Sequence, residues 1–109
     1  MISVLMSAFN ESESDLRESI DSILSQSYED FEFIIINDNP SNCLIRDVVT
    51  AYRNKDQRIV YSENEKNIGL AMSLNRAAAI SKGEFLLRMD ADDIAYPDRL
   101  AIELKDLIN

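Results

Sequence analysis

A chain of 109 residues with a formal net charge of −9 and no histidine has room for one domain with a real core. Its 46% hydrophobic content fits a folded protein rather than a disordered one. Its acidity argues against nucleic acid as partner, because phosphate-backbone binding needs clustered Lys and Arg.

The elements alternate along the chain. The apolar run ISVLMSAF (2–9) reads as a buried strand. Leu16, Ile20, Ile23 and Leu24 then form one stripe of an amphipathic helix. Asn10, Ser12 and Ser14 are its candidate caps, and the acids at 11, 13 and 15 suit its N-terminus. FEFIIIND (31–38) is the strongest strand, apolar on both faces as in the middle of a covered parallel sheet. After the break at Asn39-Pro40-Ser41-Asn42, a second stripe of Ile45, Val48, Val49 and Tyr52 predicts another helix.

RIVYS (58–62) reads as a third strand, and the polar loop ENEKNIG leads to a helix with Leu70, Leu74, Ala77 and Ala78 on one face. Gly83 is expected as its C-cap. EFLLRM (84–89) is a fourth strand, Pro97 suits a helix N1 position, and Leu100, Leu104, Leu107 and Ile108 make a last stripe. This β-α-β-α-β-α-β-α order predicts one α/β domain over 1–109, with a Rossmann-like, doubly wound, mainly parallel sheet.

Cys43 is the only cysteine, so no intrachain disulfide can form. MISVLMSAFNE lacks the basic region of a signal peptide. No run approaches the roughly 18 apolar residues of a membrane span. A cytoplasmic location is the expectation, peripheral to the membrane in a longer parent.

In doubly wound sheets ligands bind at the carboxyl ends of the strands. Three polar clusters fall there: Ser7 to Glu11, Asn37 to Asn39, and Asp90 to Asp93. RMDADD (88–93) sets three aspartates within four positions, where they repel one another unless a cation sits between them. An EF-hand loop is rejected, because Ile94, Ala95 and Ala101 stand where a ligand, a glycine and the bidentate Glu belong. A phosphorylation receiver needs an acidic pair after the first strand, where this chain has SAFN; a non-catalytic regulatory domain of that kind stays as the alternative.

A third reading is a metal–diphosphate site, in which hard oxygen donors hold Mg²⁺ or Mn²⁺. Taken alone, a D-x-D is short and common, and is most often a solvated acidic turn, here one capping the helix at Pro97. Phe9 could belong to the core, Asp38 could cap the segment after Pro40, and Asn67 could be a turn residue. Met6, Met72 and Met89 read most simply as core filler.

The segments ISVLMSAFNE, SILSQSYEDFEFIIINDN, NEKNIGLAMSLNRA and KGEFLLRMDADDIAYPDRL resemble, in order and spacing, the N-terminal half of family 2 glycosyltransferases of GT-A fold. The resemblance covers nearly the whole chain. It implies binding of a UDP-type sugar donor with Mn²⁺ or Mg²⁺, and transfer to a carbohydrate or lipid-linked acceptor hydroxyl, with inversion. Members of this kind often build cell-surface polysaccharides.

Carried over by residue, it implies that Phe9 stacks on the nucleobase and that Ser7 lines the same pocket. Asp38 accepts the base N–H, a charge-assisted bond that favours uracil over cytosine. Asn67 and Gly69 belong to the loop beside the nucleotide. Asp90 lies near the ribose, and Asp92 ligates the metal with Asp93 assisting. The general base is expected beyond Asn109, so that this chain alone transfers no sugar, and self-association is expected. The chain departs from the family pattern at Asn37, where many members have Asp, and at Leu74, where many have Arg. Arg76 is left outside the site.

Overall fold

The computed structural model describes residues 1–108. Its elements are β1 (Ile2–Ala8), α1 (Glu13–Leu24), β2 (Phe31–Asn37), α2 (Cys43–Lys55), β3 (Ile59–Glu63), α3 (Leu70–Ile80), β4 (Phe85–Arg88) and α4 (Arg99–Ile108). The alternation expected from the sequence is present, with the strand ends shifted by a residue. Among the described residues no helix is long and apolar enough to cross a membrane.

The four strands form one parallel sheet in the order β3-β2-β1-β4. From β1 to β3 the chain steps in one direction; it then returns past β2 and β1 to reach the opposite edge. Right-handed crossovers that run in opposite directions must place their helices on opposite faces. So α1 and α2 cover one face and α3 the other. The packing follows: Ile2, Val4, Met6, Phe31, Phe33 and Ile35 pack with α1, α2 and Leu100 of α4. Leu5, Ile34 and Ile36 pack with Ala77 of α3. β2 is buried along its whole length, which explains why its sequence is apolar on both faces.

Local chemistry sets the helix limits. The Ser12 side chain caps α1 by accepting from the Asp15 N–H at 3.1 Å, and Asn42 caps α2 by accepting from Leu44 and Ile45. Two expected boundaries are corrected. α3 ends at Ile80 with Ser81 as its cap residue, and the Ser81 hydroxyl donates to the Ala78 carbonyl at 2.6 Å. Gly83 lies beyond it for a different reason. A Cβ there would sit 2.6 Å from Ser3 Oγ and 2.7 Å from the Ser3 nitrogen, so close approach to β1 is what demands glycine. Pro97 is not at N1 of α4, which starts at Arg99. It sits in the preceding turn, where its carbonyl accepts from the Ser27 N–H at 2.9 Å.

At the amino ends of the strands a buried polar cluster ties the turn at Gly83, between α3 and β4, to the sheet. Ser3 Oγ donates to Glu32 Oε2 at 2.5 Å, and the Gly83 N–H donates to Ser3 Oγ at 2.8 Å. At the other end, Ala8, Asn37 and Glu63 stand level in the register. Phe9, Asp38 and Asn64 therefore leave the sheet side by side.

Candidate functional site

Asp38, the first residue beyond β2, is the centre of the site. It is 2% exposed, and a carboxylate at such depth must have its oxygens satisfied by donors. Its Oδ1 accepts from Asn64 Nδ2 and the Ile68 N–H, both at 2.8 Å. Its Oδ2 accepts from Asn67 Nδ2 at 2.8 Å and the Gly69 N–H at 2.9 Å. Four donors fill the four lone-pair positions of the carboxylate. The segment between β3 and α3 is thereby folded around one side chain of β2. Gly69, at the N-terminus of α3, has φ of 91° and ψ of 164°, a conformation essentially reserved for glycine, and this turns its N–H towards Asp38.

Ser7, Phe9, Asp38, Asn67 and Gly69 line one cavity of about 290 Å³, with Glu11 and Leu70. The five residues expected to surround a nucleobase are thus brought together. Phe9 is 44% exposed, so its ring is a wall of the cavity and no part of the core. Its backbone is fixed from two sides: its N–H donates to Glu11 Oε1 at 2.8 Å, and its carbonyl accepts from Asn39 Nδ2 at 3.0 Å.

A second tier of residues was not singled out from the sequence. Asn64, buried beneath the loop, also donates to Ser73 Oγ at 3.0 Å and accepts from Arg76 Nη1 at 2.7 Å. The second Arg76 amine donates to Ser62 Oγ. Arg76 therefore faces the loop from behind and holds it through Asn64. A polar residue directly after a β-strand, followed by another on the buried face of the next helix, is the only local signal of this arrangement. Met72, expected in the core, is instead 57% exposed on α3.

The rim beside this loop carries a coupled trio. Arg46 Nε donates to Glu63 Oε2 and Tyr61 Oη donates to the same oxygen, both at 2.6 Å. The Arg46 guanidinium, and then the Tyr61 hydroxyl, hold the Glu63 carboxyl below its usual range. Burial, reinforced by Glu63, pushes Tyr61 up to about 12.

The aspartates follow β4, the neighbour of β1 on its other side. The Met89 N–H still donates to the Leu5 carbonyl at 2.9 Å, so the chain leaves the sheet just before Asp90. Asp90, Asp92 and Asp93 are all exposed, and one carboxylate oxygen from each lies within 4.8 Å of the others. Arg88 Nη2 stands 3.2 Å from Asp90 Oδ1, which partly neutralises Asp90 and leaves Asp92 and Asp93 as the uncompensated pair. These residues do not line the cavity at Phe9. The two features stand on either side of the point where the strand order reverses, between β1 and β4, which is where doubly wound sheets receive ligands.

A model of the family described as Glycosyl transferase family 2 matches residues 3–108. An uncharacterized glycosyltransferase of Methanocaldococcus jannaschii is 43% identical over 109 residues, covering 100% of this chain and 38% of that protein. Among solved structures, S. aureus TarS 1-349 in complex with UDP-GlcNAc matches with a TM-score of 0.85 at 27% identity, over 98% of this chain and 31% of that one. The mannosyltransferase PcManGT of Pyrobaculum calidifontis, in complex with GDP-Man and Mn²⁺, matches with a TM-score of 0.89 at 24% identity, over 99% of this chain and 32% of that one, a likeness of fold. The chain thus spans between 31% and 38% of the length of these relatives. The fold, a four-stranded parallel sheet flanked by four helices, is shared with part of these GT-A glycosyltransferases.

Proposed function

The chain belongs to glycosyl transferase family 2, and on that premise we propose that its strand ends bind a UDP-type sugar donor with Mn²⁺ or Mg²⁺, for inverting transfer of a hexose or N-acetylhexosamine to an acceptor hydroxyl. One observation carries this reading. An aromatic-walled cavity and a trio of converging carboxylates stand on adjacent strands, on either side of the topological switch point. The complex of TarS with UDP-GlcNAc, at 27% identity, supports the choice of a uridine donor.

In this reading the base enters the cavity and stacks on Phe9, a contact worth about 1–3 kcal/mol, with Ser7 and the Asn67–Gly69 loop as the other walls. Asp38 takes the base N–H. Because its four acceptor positions are filled, one loop donor must yield. Asn67 Nδ2 is suited to do so, since it also lies 3.3 Å from the Asp38 carbonyl oxygen and keeps that partner after letting the carboxylate go. Asp90 faces the ribose, and Asp92 with Asp93 takes the cation. The donor set fits: carboxylate oxygens are the hard ligands these ions prefer, and one or two of them suffice when phosphate oxygens complete the shell. The bound cation would neutralise the diphosphate leaving group.

Calorimetric titration with UDP and CDP, each with and without Mn²⁺, tests the reading. Tighter binding of UDP than of CDP, strengthened by Mn²⁺, is expected. Equal binding of the two would remove Asp38 from base recognition, and an unchanged affinity on adding Mn²⁺ would remove the aspartates from the metal.

A further inference from the structure

The acidic loop has no regular structure of its own, yet it is fastened along its length to one side of α1 and to Gln26 just past the helix end. Ser19 Oγ donates to the Asp90 carbonyl at 3.2 Å. Ser22 Oγ accepts from the Ala95 N–H at 3.0 Å and donates to the Ser19 carbonyl at 2.7 Å. Gln26 Nε2 donates to the Tyr96 carbonyl at 2.8 Å, and Gln26 Oε1 accepts from the Leu100 N–H at 2.9 Å. All three side chains are buried. Ser19 and Ser22, three residues apart, share one face of α1 alongside the apolar row of Leu16, Ile20 and Ile23, and Gln26 follows just past the C-cap Ser25.

We propose that Ser19, Ser22 and Gln26 are positioning residues that hold the Asp90–Asp93 carboxylates converged for a divalent cation. The inference rests on the reading of these aspartates as a cation site. Three carboxylates within 4.8 Å of one another repel, and a free loop would relax by spreading them. Here the backbone on both sides of the trio is fixed, at Asp90 by Ser19 and at Ala95, Tyr96 and Leu100 by Ser22 and Gln26. Met89, Ala91 and Ala95, buried in the core before, between and after the acids, hold the same segment down. The repulsion is therefore retained in the free protein and relieved when a cation binds, so the three side chains contribute to cation affinity without touching the ion.

The test is Mn²⁺ alone, titrated into the whole chain and followed by the electron paramagnetic resonance signal of the free ion. Ser22→Ala and Gln26→Leu are expected to weaken Mn²⁺ binding roughly tenfold or more, the usual effect of removing groups that orient metal ligands. Ser22→Thr, which keeps the hydroxyl, is expected to bind within about twofold of the unaltered protein. Ile23→Val, a buried truncation on the same helix, is expected to leave Mn²⁺ binding unchanged, which separates positioning from a general loss of stability. If Gln26→Leu fails to fold, Ser22→Ala and Ser19→Ala, which leave the apolar core intact, carry the comparison. No Mn²⁺ binding by the unaltered chain would overturn the cation reading and this inference with it. Binding by the unaltered chain that Ser22→Ala and Ser19→Ala match, or an equal loss in Ile23→Val, would overturn the positioning role alone.

Discussion

Gly69 and Asp38 are 31 residues apart, and the Gly69 N–H donates to the Asp38 carboxylate at 2.9 Å. The bond exists because Gly69 adopts φ of 91°. A Cβ at this position would meet nothing within 4 Å, so any cost of substitution there is conformational and not steric. Gly69→Ala is expected to lose about 1–3 kcal/mol of stability, and to weaken UDP as the loop shifts. Urea denaturation gives the first quantity and calorimetry the second; an alanine variant as stable as the unaltered chain would show that the backbone there is unstrained.

Asp38→Asn keeps the size of the side chain and replaces one acceptor oxygen by an amine, which then confronts N–H donors. Hydrogen bonds to charged groups contribute about 1.5–3 kcal/mol each, and at least that loss of folding stability is expected. UDP affinity should fall by a similar amount. Amide exchange at Ile68 and Gly69, the two backbone donors, should accelerate in step. Unchanged protection of both would mean that the loop has other supports.

Asp92→Asn should behave in the opposite way. The side chain is exposed, and a surface change of this kind alters stability by no more than about 0.5 kcal/mol. The Mn²⁺ dependence of UDP binding should disappear while the melting curve stays in place. Should metal-dependent affinity survive, Asp92 is no ligand.

The Arg46–Glu63–Tyr61 trio gives the rim a dependence on pH at both extremes. Glu63 is depressed below its usual value of 4.5, first by Arg46. Its contribution is therefore complete above that value and fades as pH falls through the lower folded one. Tyr61 is raised from 10.0 to about 12, first by burial, so its contribution is complete below pH 10 and is lost as pH rises towards 12. Arg46→Ala should flatten the acid limb of a stability profile, and Tyr61→Phe the alkaline limb. A Tyr61→Phe profile that still falls between those two values would assign the loss to another group.

Most of the architecture was legible because burial imposes periodicity. FEFIIIND reads as a central strand, and the stripes fall on helices; Leu16, Ile45, Leu74 and Leu100 are at least partly buried, whereas Leu70, Leu107 and Ile108 of the last two stripes are exposed. The residues of the cavity were legible only through resemblance, since nothing in a lone Phe9 or Asp38 separates a site from a core or a cap. What escaped was chemistry between distant parts of the chain. Gly83 reads as a helix cap in the sequence because its true neighbour, Ser3, lies 80 residues away. Pro97 reads as the first residue of α4 because the contact that fixes its turn comes from the distant Ser27 N–H. Asn64 and Gln26 carry no such signal, and Arg76 is left outside the site, for the same reason: a side chain whose partners lie far along the chain leaves no periodic trace.

The crossover that sends α3 to the far face has a consequence for how such a domain can vary. The loop around Asp38 belongs to the α3 layer, and the acidic segment hangs from α1 on the other layer, with the sheet between them. Among the described residues the two share no hydrogen-bond partner, so changes in one should combine additively with changes in the other. On the proposed reading, a lineage could therefore retune base recognition through residues 64–69 without rebuilding the aspartates. It could equally alter the aspartates and keep the base. Independent inheritance of two half-sites, set at a fixed separation by adjacent strands, is a property of the layer arrangement itself.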